Sequence, residues 1–387
     1  MGPNAMTNRV KNILLENRFW QSIVRKEIPV NEWIRGKTLG LGLINFYLFV
    51  ILTLTGILLM FYYAPQAPGA YRDIKDLEYV VSFGAIFRNM HHWAAYLMII
   101  SVFLHLSRVF YTAEYRHPRE FNWVIGIVLF FCTLGMGLSG YMLLWDQKAY
   151  WGANIMSNIV SSIPPIGAMH KYLILGGNQV GQNFLERAYT MHVKVLPLVM
   201  SLIMMVHFWR NRTDDMLAGA GELAEQVESG GGKNSEGGEA AEQFNGGWLD
   251  IIKRELSKFL LILAVVMAMS LLFDAPLEGM ANPSVTPNPT KAIWFFVGLQ
   301  ELVSWGPPFW FGVVIPNVVV LFLILIPYLD RGRAGIGVWF HPSRRRENIL
   351  FTAFAVILMG LIIVGEFMRG PGWVFYWPWQ PWPPTVH

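Results

Sequence analysis

Residues 88–108 read RNMHHWAAYLMIISVFLHLSR, and residues 187–210 read RAYTMHVKVLPLVMSLIMMVHFWR. Each stretch is an apolar run between arginines, long enough to cross the roughly 30 Å hydrocarbon layer as a helix. His91 and His105 are 14 residues apart in the first stretch, and His192 and His207 are 15 apart in the second. Both separations return to nearly the same helix face after about 21 to 22 Å. Each helix is therefore predicted to carry two histidines on one face, one near each membrane surface.

The depths of the four histidines also match between the two stretches. His91 and His192 lie near the arginine that begins each stretch, and His105 and His207 each lie three residues before the arginine that ends it. Antiparallel neighbouring helices would pair His91 with His192 and His105 with His207, which predicts two haems, each with two imidazole ligands. A lone intramembrane histidine more often packs against a neighbouring helix, but four in matched depth and phase favour metal ligands.

Glycines repeat at the same spacing in two other apolar runs. Gly42 and Gly56 are 14 residues apart, and so are Gly126 and Gly140. Missing side chains at matching heights would make room for a flat macrocycle against the backbone. Glycines in membrane helices are also common helix-packing contacts, so the spacing supports the haem prediction without establishing it.

Two arginines and one further histidine adjoin the predicted ligands. Arg88 and Arg108 are placed to pair with haem propionates, and their alternative role is to anchor the helices at the membrane interface. His92 lies 13 residues before His105. That separation turns it about 140° away from the ligand face, so His92 is not predicted to bind iron.

The composition places the whole chain in a membrane. Of its 387 residues, 54% are hydrophobic and only 14% are charged, with a mean hydropathy of +0.38. A soluble domain carries about a quarter charged residues. The net charge of +4 is too small in so apolar a chain to indicate a nucleic-acid partner. A single cysteine, Cys132, excludes an intrachain disulfide and a Cys-x-x-Cys-His haem attachment.

Seven apolar runs that carry almost no internal charge, Lys194 being one exception, predict an all-α, polytopic membrane protein, in which a four-helix dihaem bundle precedes three further transmembrane helices. The runs cover residues 39–64, 88–108, 120–146, 187–210, 256–273, 310–329 and 348–365. The predicted parts are an N-terminal segment at 1–38, the dihaem domain at 39–212, a flexible Gly/Glu-rich linker at 213–247, a three-helix domain at 248–368 and an aromatic and proline-rich tail at 369–387.

The distribution of basic residues predicts the orientation. With alternate loops on opposite sides, 21 of the 30 lysines and arginines fall on the side of the N-terminus. The positive-inside rule then puts the N-terminus and the linker on the cytoplasmic, negative side. His91 and His192 would lie at the positive side.

The first half contains several specific motifs. They are Arg88-x-x-His91, His105-x-x-Arg108, the segment from His117 to Gly126, Gly140-Tyr-x-x-x-Trp-Asp-Gln147, Tyr150-Trp-Gly-Ala-Asn154, Ile163-Pro-Pro-Ile-Gly167 and His192-x-x-x-x-Pro197. With them the chain resembles cytochrome b of the Rieske/cytochrome b complexes, which oxidise quinol in respiration and photosynthesis. This resemblance covers nearly the whole chain.

Three features resemble the chloroplast-type, split form of cytochrome b. They are the 15-residue histidine spacing, the Trp-Asp-Gln triplet and the three-helix second half. The chain looks like a fusion of that protein with its small partner subunit, joined at 213–247. The chloroplast type attaches an extra haem through a cysteine at a position that falls near Gly40. Cys132 lies mid-span instead. The resemblance therefore implies two non-covalent b-type haems and no covalent c-type haem.

The second half resembles the family more loosely. Residues 289–296, PTKAIWFF, occupy the place of the Pro-Glu-Trp-Tyr motif at the quinol site. Trp294 and Phe295 stand for its Trp and Tyr, but Ile293 replaces the glutamate thought to accept a quinol proton. The resemblance implies a quinol site between residues 147–167 and 292–301. Glu301 is then the candidate base, with capping or solvation of the next helix as its alternative role.

The family resemblance also implies the reaction and the partners. Quinol would be oxidised near the positive face, with one electron passing to a Rieske iron–sulfur protein and the other through the two haems to a quinone. A cytochrome c or similar acceptor, a homodimer within a larger complex and a bacterial plasma membrane are expected with it. Two alternatives are a dihaem membrane anchor that does not split the electrons and a haem-free seven-helix transporter.

Overall fold

The computed structural model describes residues 40–228, 248–332 and 334–383. Seven of its helical segments are long and apolar enough to span a membrane, which confirms the predicted all-α, seven-span fold. These spans are Leu41–Met60, Gly84–Tyr111, Glu120–Met142, Gln182–Asp214, Glu255–Leu272, Phe309–Leu329 and Pro342–Met368.

The α-helices are numbered along the chain. They are α1 (Leu41–Met60), α2 (Gly69–Tyr79), α3 (Gly84–Tyr111), α4 (Glu120–Met142), α5 (Gln147–Ser161), α6 (Gly167–Leu175), α7 (Gln182–Thr190), α8 (Leu196–Glu228), α9 (Trp248–Leu272), α10 (Trp294–Val303), α11 (Ile315–Leu329) and α12 (Arg345–Ile363). The first half contributes α1, α3, α4 and the continuous rod α7–α8 as its four spans. The surface helices α2, α5 and α6 lie between them along the chain.

Apolar side chains form the core of the bundle and also its outer surface. Helix α1 packs along α3, and Leu48, Ile51 and Met98 are buried between them together with Val266 of α9. Large apolar side chains on the outside stay exposed, for example Leu261 at 65%. In water such a surface would be unstable, so it indicates contact with lipid.

Polar contacts fix the second half against the first at the end of the bundle that holds His91. Arg88 Nη1 donates to the carbonyl of Ala275 at 2.8 Å, and Asn89 Nδ2 donates to the carbonyl of Ser270 at 3.1 Å. Trp93 Nε1 donates to the carbonyl of Phe273 at 2.8 Å. The bonds to Ser270 and Phe273 satisfy carbonyls at the end of α9, which that helix cannot satisfy itself.

A second polar cluster joins the halves at the other end. Asp330, which follows α11, pairs with Arg116 and accepts a hydrogen bond from the Tyr115 hydroxyl at 2.6 Å. Arg344 donates to the same hydroxyl at 2.6 Å and to the carbonyl of Phe110 at 2.8 Å. The Arg116 and Tyr115 bonds outweigh the effect of burial and lower the pKa of Asp330. The carboxylate is therefore held in its charged form.

Three π-helical turns interrupt the spans within the described residues. They are Met191–Val195 between α7 and α8, Phe309–Val314 before α11 and Val364–Met368 after α12. One turn contains His192 and another contains Glu366. Such turns widen a helix by one residue and are frequent at functional sites.

The start of the linker differs from the prediction. Helix α8 continues to Glu228 instead of ending near residue 212. The sequence of 213–228 is rich in Ala, Leu and Glu, which favour helix, and Arg210 pairs with Asp214 one turn further on at 2.7 Å. The predicted N-terminal segment 1–38, the rest of the linker at 229–247 and the last four residues of the tail lie outside the described residues.

Candidate haem and quinol sites

The structure places the ring of His91 on α3 opposite the ring of His192 on the π turn Met191–Val195. Their ring centroids are 6.1 Å apart, with the ring planes at 73°. Nδ1 of His192 lies 3.1 Å from the carbonyl oxygen of Met136, which can only accept a hydrogen bond. Nδ1 therefore carries the proton, and Nε2 presents a lone pair. Nδ1 of His91 is engaged as well, at 3.0 Å from Oγ1 of Thr55.

The separation of these two rings fits a shared metal ion. Imidazole–metal bonds of about 2 Å on each side would put the ring centroids about 6 Å apart. Hydrogen bonds on Nδ1 that fix the orientation of a ring are the usual support of a metal-ligating histidine. A cavity of about 270 Å³ surrounds the pair, and Arg88, Gly56 and Gly140 line it. The donors, their spacing and the cavity all suit an iron porphyrin.

Glycines allow the neighbouring helices to approach these rings. A Cβ atom on Gly140 would lie 2.5 Å from Cε1 of His192, and one on Gly56 would lie 3.3 Å from Cε1 of His91. A Cβ atom on Gly126 would lie 3.7 Å from Cε1 of His207. The missing side chains make room for the imidazoles, and the room for a macrocycle stays a prediction.

His105 and His207 line a second cavity at the opposite end of the bundle, with Gly42, Gly126 and Arg108. The volume of this cavity is about 130 Å³. Nδ1 of His105 is buried and has no hydrogen-bond partner within the described residues. Among these residues His105 thus lacks the Nδ1 hydrogen bond that orients His91 and His192, and its role as an iron ligand stays a prediction.

Both predicted propionate-binding arginines already have protein partners. Arg88 donates to Oε1 of Glu78 at 2.7 Å and to the carbonyls of Ala275 and Pro276 at 2.8 and 2.9 Å. Arg108 forms an ion pair with Glu114. Nε of each arginine is buried and finds no acceptor among the residues that the structure describes. The propionate role therefore stays a prediction, with Nε as the donor that is left for it.

A third cavity, of about 250 Å³, lies where the sequence places the quinol site. Helix α5 forms one wall, and the segment that begins α10 forms another, with Ala292 and Ile293 facing the cavity. The lining also includes the apolar residues Leu138, Met142, Ile155, Met156, Ile159, Val160, Ile163, Phe296, Leu299 and Val313. An apolar cleft with a few polar groups, here Gln300, Asn317 and Tyr141, is typical of a binding site for a quinone-sized molecule.

The residues of the quinol motif do not share one surface. Phe295 lines the cavity of His91 and His192 and packs over Gly137. Trp294 packs against Tyr96, with ring centroids 5.5 Å apart. Tyr141 and Ile293 line both cavities and thus form a common wall between them.

Glu301 does not face the third cavity. Its side chain is 1% exposed and accepts hydrogen bonds from Arg369 at 2.6 and 2.8 Å, and from the indole nitrogens of Trp305 and Trp373 at 3.0 Å each. Burial alone would raise the pKa of Glu301, but these bonds outweigh it and lower the pKa. A carboxylate so stabilised is a poor base. The placement therefore argues against the base role predicted for Glu301 and gives it a structural one.

Sequence reasoning missed Glu366, which lies in the seventh span just beyond the predicted end at residue 365. Its Oε2 atom is buried without a hydrogen-bond partner in the described part of the chain. The signal was present, because an acidic residue at the end of an otherwise apolar run is a candidate functional group. The run was cut short at the glutamate instead of being extended through it.

These features define a helical integral membrane protein that presents two pairs of histidines inside its bundle. A sequence profile of the family described as Cytochrome b/b6/petB matches residues 26–213. Cytochrome b6 of Tupiella akineta is 39% identical over 168 residues, which are 43% of this chain and 78% of the relative. Cytochrome b6 of Heliomicrobium gestii is 38% identical over 168 residues, 43% of this chain and 79% of the relative.

A solved structure extends the likeness into the second half. A chain of the "Hyperthermophilic respiratory Complex III" superposes with a TM-score of 0.67 at 26% identity, covering 84% of this chain and 82% of that one. The chain belongs to the cytochrome b family, and its additional C-terminal region fits a fusion with a small partner subunit. Membership makes it a haem-binding, membrane-embedded subunit in quinol-linked electron transfer.

Proposed function

We propose that this chain is the quinol-oxidising subunit of a Rieske/cytochrome b complex, with two b-type haems stacked across the membrane. His91 and His192 would hold one haem, and His105 and His207 the other. The observation that carries the proposal is the facing pair His91 and His192, 6.1 Å apart with Nδ1 of each ring engaged by a neighbouring helix. When bound, the haems supply one-electron carriers at two depths in the membrane.

The chain's own residues would keep those carriers in place and dry. The imidazoles are oriented by Thr55, Ser139 and the Met136 carbonyl. Arg88 and Arg108 bring positive charge to the two cavities, where haem propionates would lie. The apolar surroundings exclude water, and this low-dielectric burial helps to set haem potentials.

Quinol would bind in the 250 Å³ cavity between α5 and the start of α10. Its two electrons would separate there, one to a Rieske iron–sulfur protein and one to the haem held by His91 and His192. A cytochrome c or similar acceptor, a homodimeric complex and an orientation with the N-terminus on the cytoplasmic side of a bacterial plasma membrane belong to the same proposal.

Purification of the complex tests this function. We expect two haems per chain, a b-type reduced-minus-oxidised spectrum and a co-purifying Rieske subunit. Oxidation of a short-chain quinol should be inhibited by stigmatellin-like compounds. A colourless protein would overturn the haem assignment, and a single haem would overturn the stacked pair.

One observation favours a second candidate, a dihaem anchor that exchanges electrons with quinone without splitting them. Ile293 replaces the carboxylate of the family motif, and the Ile293 side chain lines the quinol cavity. The absence of any Rieske subunit from the purified complex, together with two haems and insensitivity to stigmatellin-like inhibitors, would favour this candidate.

A further inference from the structure

Glu366 lies close to the proposed quinol cavity without belonging to any contact described so far. It is carried by the π turn Val364–Met368 at the end of the seventh span. This turn packs against α10, because a Cβ atom on Gly365 would lie 3.0 Å from the carbonyl oxygen of Val297. The backbone of Glu366 also lies near the start of α10, because its carbonyl accepts a hydrogen bond from Lys291, which precedes Ala292 and Ile293.

The carboxylate is placed among hydroxyl and amine groups from three other parts of the chain. It interacts electrostatically with the phenols of Tyr96 on α3 and Tyr141 on α4. It also interacts with Lys291, whose Nζ donates to the backbone carbonyl of Glu366 at 2.5 Å. Tyr141 lines the proposed quinol cavity. Tyr141 therefore both lines the cavity and interacts electrostatically with the carboxylate.

The polar atoms of this cluster are incompletely bonded. Oε2 of Glu366 and the hydroxyl of Tyr141 are buried and find no hydrogen-bond partner within the described residues. Each such atom costs free energy unless a ligand or a proton satisfies it. Two such atoms, one of them on a residue that lines an apolar cavity, indicate a site that is completed by a substrate.

The π turns give independent support. The turn Phe309–Val314 contributes Gly312 and Val313 to the quinol cavity, and the turn Met191–Val195 contributes His192 and Val193 to the haem cavity next to it. Two of the three described π turns thus line the cavities that share Tyr141 and Ile293, and the third carries Glu366. Such turns are frequent at functional sites.

We propose that Glu366 accepts a proton of the quinol in place of the motif glutamate that Ile293 replaces. The inference rests on the proposed function. A quinol O–H bond breaks, the proton passes by the hydroxyl of Tyr141, and an O–H bond forms at Oε2 of Glu366. The second quinol O–H bond would also break, with its proton released to water at the positive face as one electron passes to the Rieske cluster and the other to a b-type haem.

The charges around Glu366 suit a proton acceptor better than those around Glu301. Lys291 is the charged group that faces Glu366 from the segment before α10, and Tyr96 and Tyr141 face it from α3 and α4. Burial lowers the pKa of Lys291, and the Glu366 carboxylate opposes this. Glu366 forms no ion pair among the described residues, whereas Glu301 is bonded to Arg369 through both of its oxygens. Glu366 can therefore gain a proton without breaking a salt bridge.

The test compares Glu366→Gln and Glu366→Asp with Glu347→Gln, a control at the opposite end of the same span. The intact complex is reduced by a short-chain ubiquinol or menaquinol analogue, and haem reduction is followed by absorbance from acid to alkaline pH. We expect about a 100-fold slower reaction in E366Q, because a positioned base contributes 10² or more. We also expect the rate to lose its rise with increasing pH, to recover partly in E366D and to be unchanged in E347Q.

A second measurement does not depend on turnover. Infrared difference spectra of the wild-type complex during quinol oxidation should show a new carboxylic acid C=O band, which shifts in E366D. Absence of that band, or a wild-type rate and pH profile in E366Q, would overturn the inference. A wild-type complex that oxidises neither quinol would overturn the proposed function first. The haem spectrum identifies any variant that has failed to fold. In that case the infrared spectrum of the wild type decides whether a carboxylate is protonated during quinol oxidation.

Discussion

The imidazoles of His91 and His192 are held by groups on helices other than their own. Thr55 on α1 reaches His91, while Ser139 and the Met136 carbonyl on α4 reach His192. The sequence gives the phase and depth of the four histidines, because these follow from helix geometry alone. It gives no indication of Thr55 or Ser139, because contacts between helices depend on rotation and crossing angle, which hydropathy does not encode.

Replacement of His91 or His192 by alanine should remove one haem and retain the other. The ligand set at one end of the bundle would lose an imidazole, whereas His105 and His207 would be unchanged. Haem content and the reduced-minus-oxidised spectrum of each purified variant measure this. His117→Ala is the matched control, because that side chain is 73% exposed. Retention of both haems in His91→Ala would contradict the ligand assignment.

Glu301 shows how little a residue type says about its role. The sequence offers a glutamate in the segment of the quinol motif, and the structure uses it to fasten Arg369 and Trp373 of the C-terminal tail to α10. Glu366 was overlooked for the opposite reason, since it falls at the edge of an apolar run. Which of two glutamates has a free carboxylate is decided by partners distant in the sequence.

Substitution of Glu301 by glutamine should destabilise the protein by about 3 kcal/mol at neutral pH, because it leaves Arg369 without its partner. The pKa of Glu301 is lowered in the folded state, so its contribution is present above the ordinary carboxyl pKa and is lost as the pH falls through the lowered value. Thermal unfolding in detergent at neutral and strongly acidic pH measures the change.

The difference between wild type and E301Q should therefore shrink as the solution is acidified below about pH 4. Glu186→Gln serves as the control, because Glu186 is exposed and its contact with Gln182 is on the surface. A difference that stays constant down to low pH would show that the charge of Glu301 does not stabilise the fold.

At the scale of elements, hydropathy predicts all seven spans and misses where several of the helices end. Helix α3 extends beyond the predicted run at both ends, and α8 continues to Glu228. Apolar composition marks only the part of a helix inside the hydrocarbon layer, and helical hydrogen bonding continues outside it. The apolar segment before the sixth span forms the short helix α10, Trp294–Val303. Its packing against α12 through Gly298 and Gly365 could not be predicted, because small residues fit many partners.

Gly140→Ala should disrupt the close approach of α4 to the π turn Met191–Val195. The added Cβ atom would lie 2.5 Å from Cε1 and 3.0 Å from Nδ1 of His192. Either the ring turns or the helices separate, and both move the imidazole from its position opposite His91. We expect loss of at least half of the haem at this end, measured by haem content and by the band shape of the remaining haem.

Gly360→Ala is the matched control for this substitution. Gly360 is also a glycine within a span, on α12, and a Cβ atom there meets nothing within 4 Å. It should retain its full haem content. Equal loss in both variants would show that the effect belongs to glycine in the membrane generally and not to the contact with His192.

For the whole molecule, the resemblance to a fused pair of proteins agrees with how the halves are joined. Each end of the bundle has its own cluster of bonds across the junction, one around Arg88 and Asn89 and one around Asp330 and Arg344. Such contacts hold the halves in register whether or not a peptide links them. The sequence predicts the two halves from the composition between them, but the bonds connect residues about 180 to 230 positions apart and could not be foreseen.

If the chain is divided within 229–247, the two fragments should still associate. Co-expression of residues 1–238 with residues 239–387 should give a complex that co-purifies in detergent and carries the same haem spectrum as the intact chain. The matched control is the divided chain with Asp330→Ala and Asn89→Ala, which removes bonds from both clusters and should lose co-purification. Separate purification of the unmutated halves would contradict the expectation.

Tyr141 and Ile293 line both the quinol cavity and the cavity of His91 and His192. The side chains of Tyr141 and Ile293 would then separate a quinol in one cavity from the proposed haem in the other. Close-packed interiors transmit strain. A molecule bound in the quinol cavity would therefore displace the shared side chains and, through them, a group bound in the other cavity. Binding of an inhibitor in the quinol cavity should therefore shift a visible absorption maximum slightly. A titration that follows this shift would give the affinity of the inhibitor.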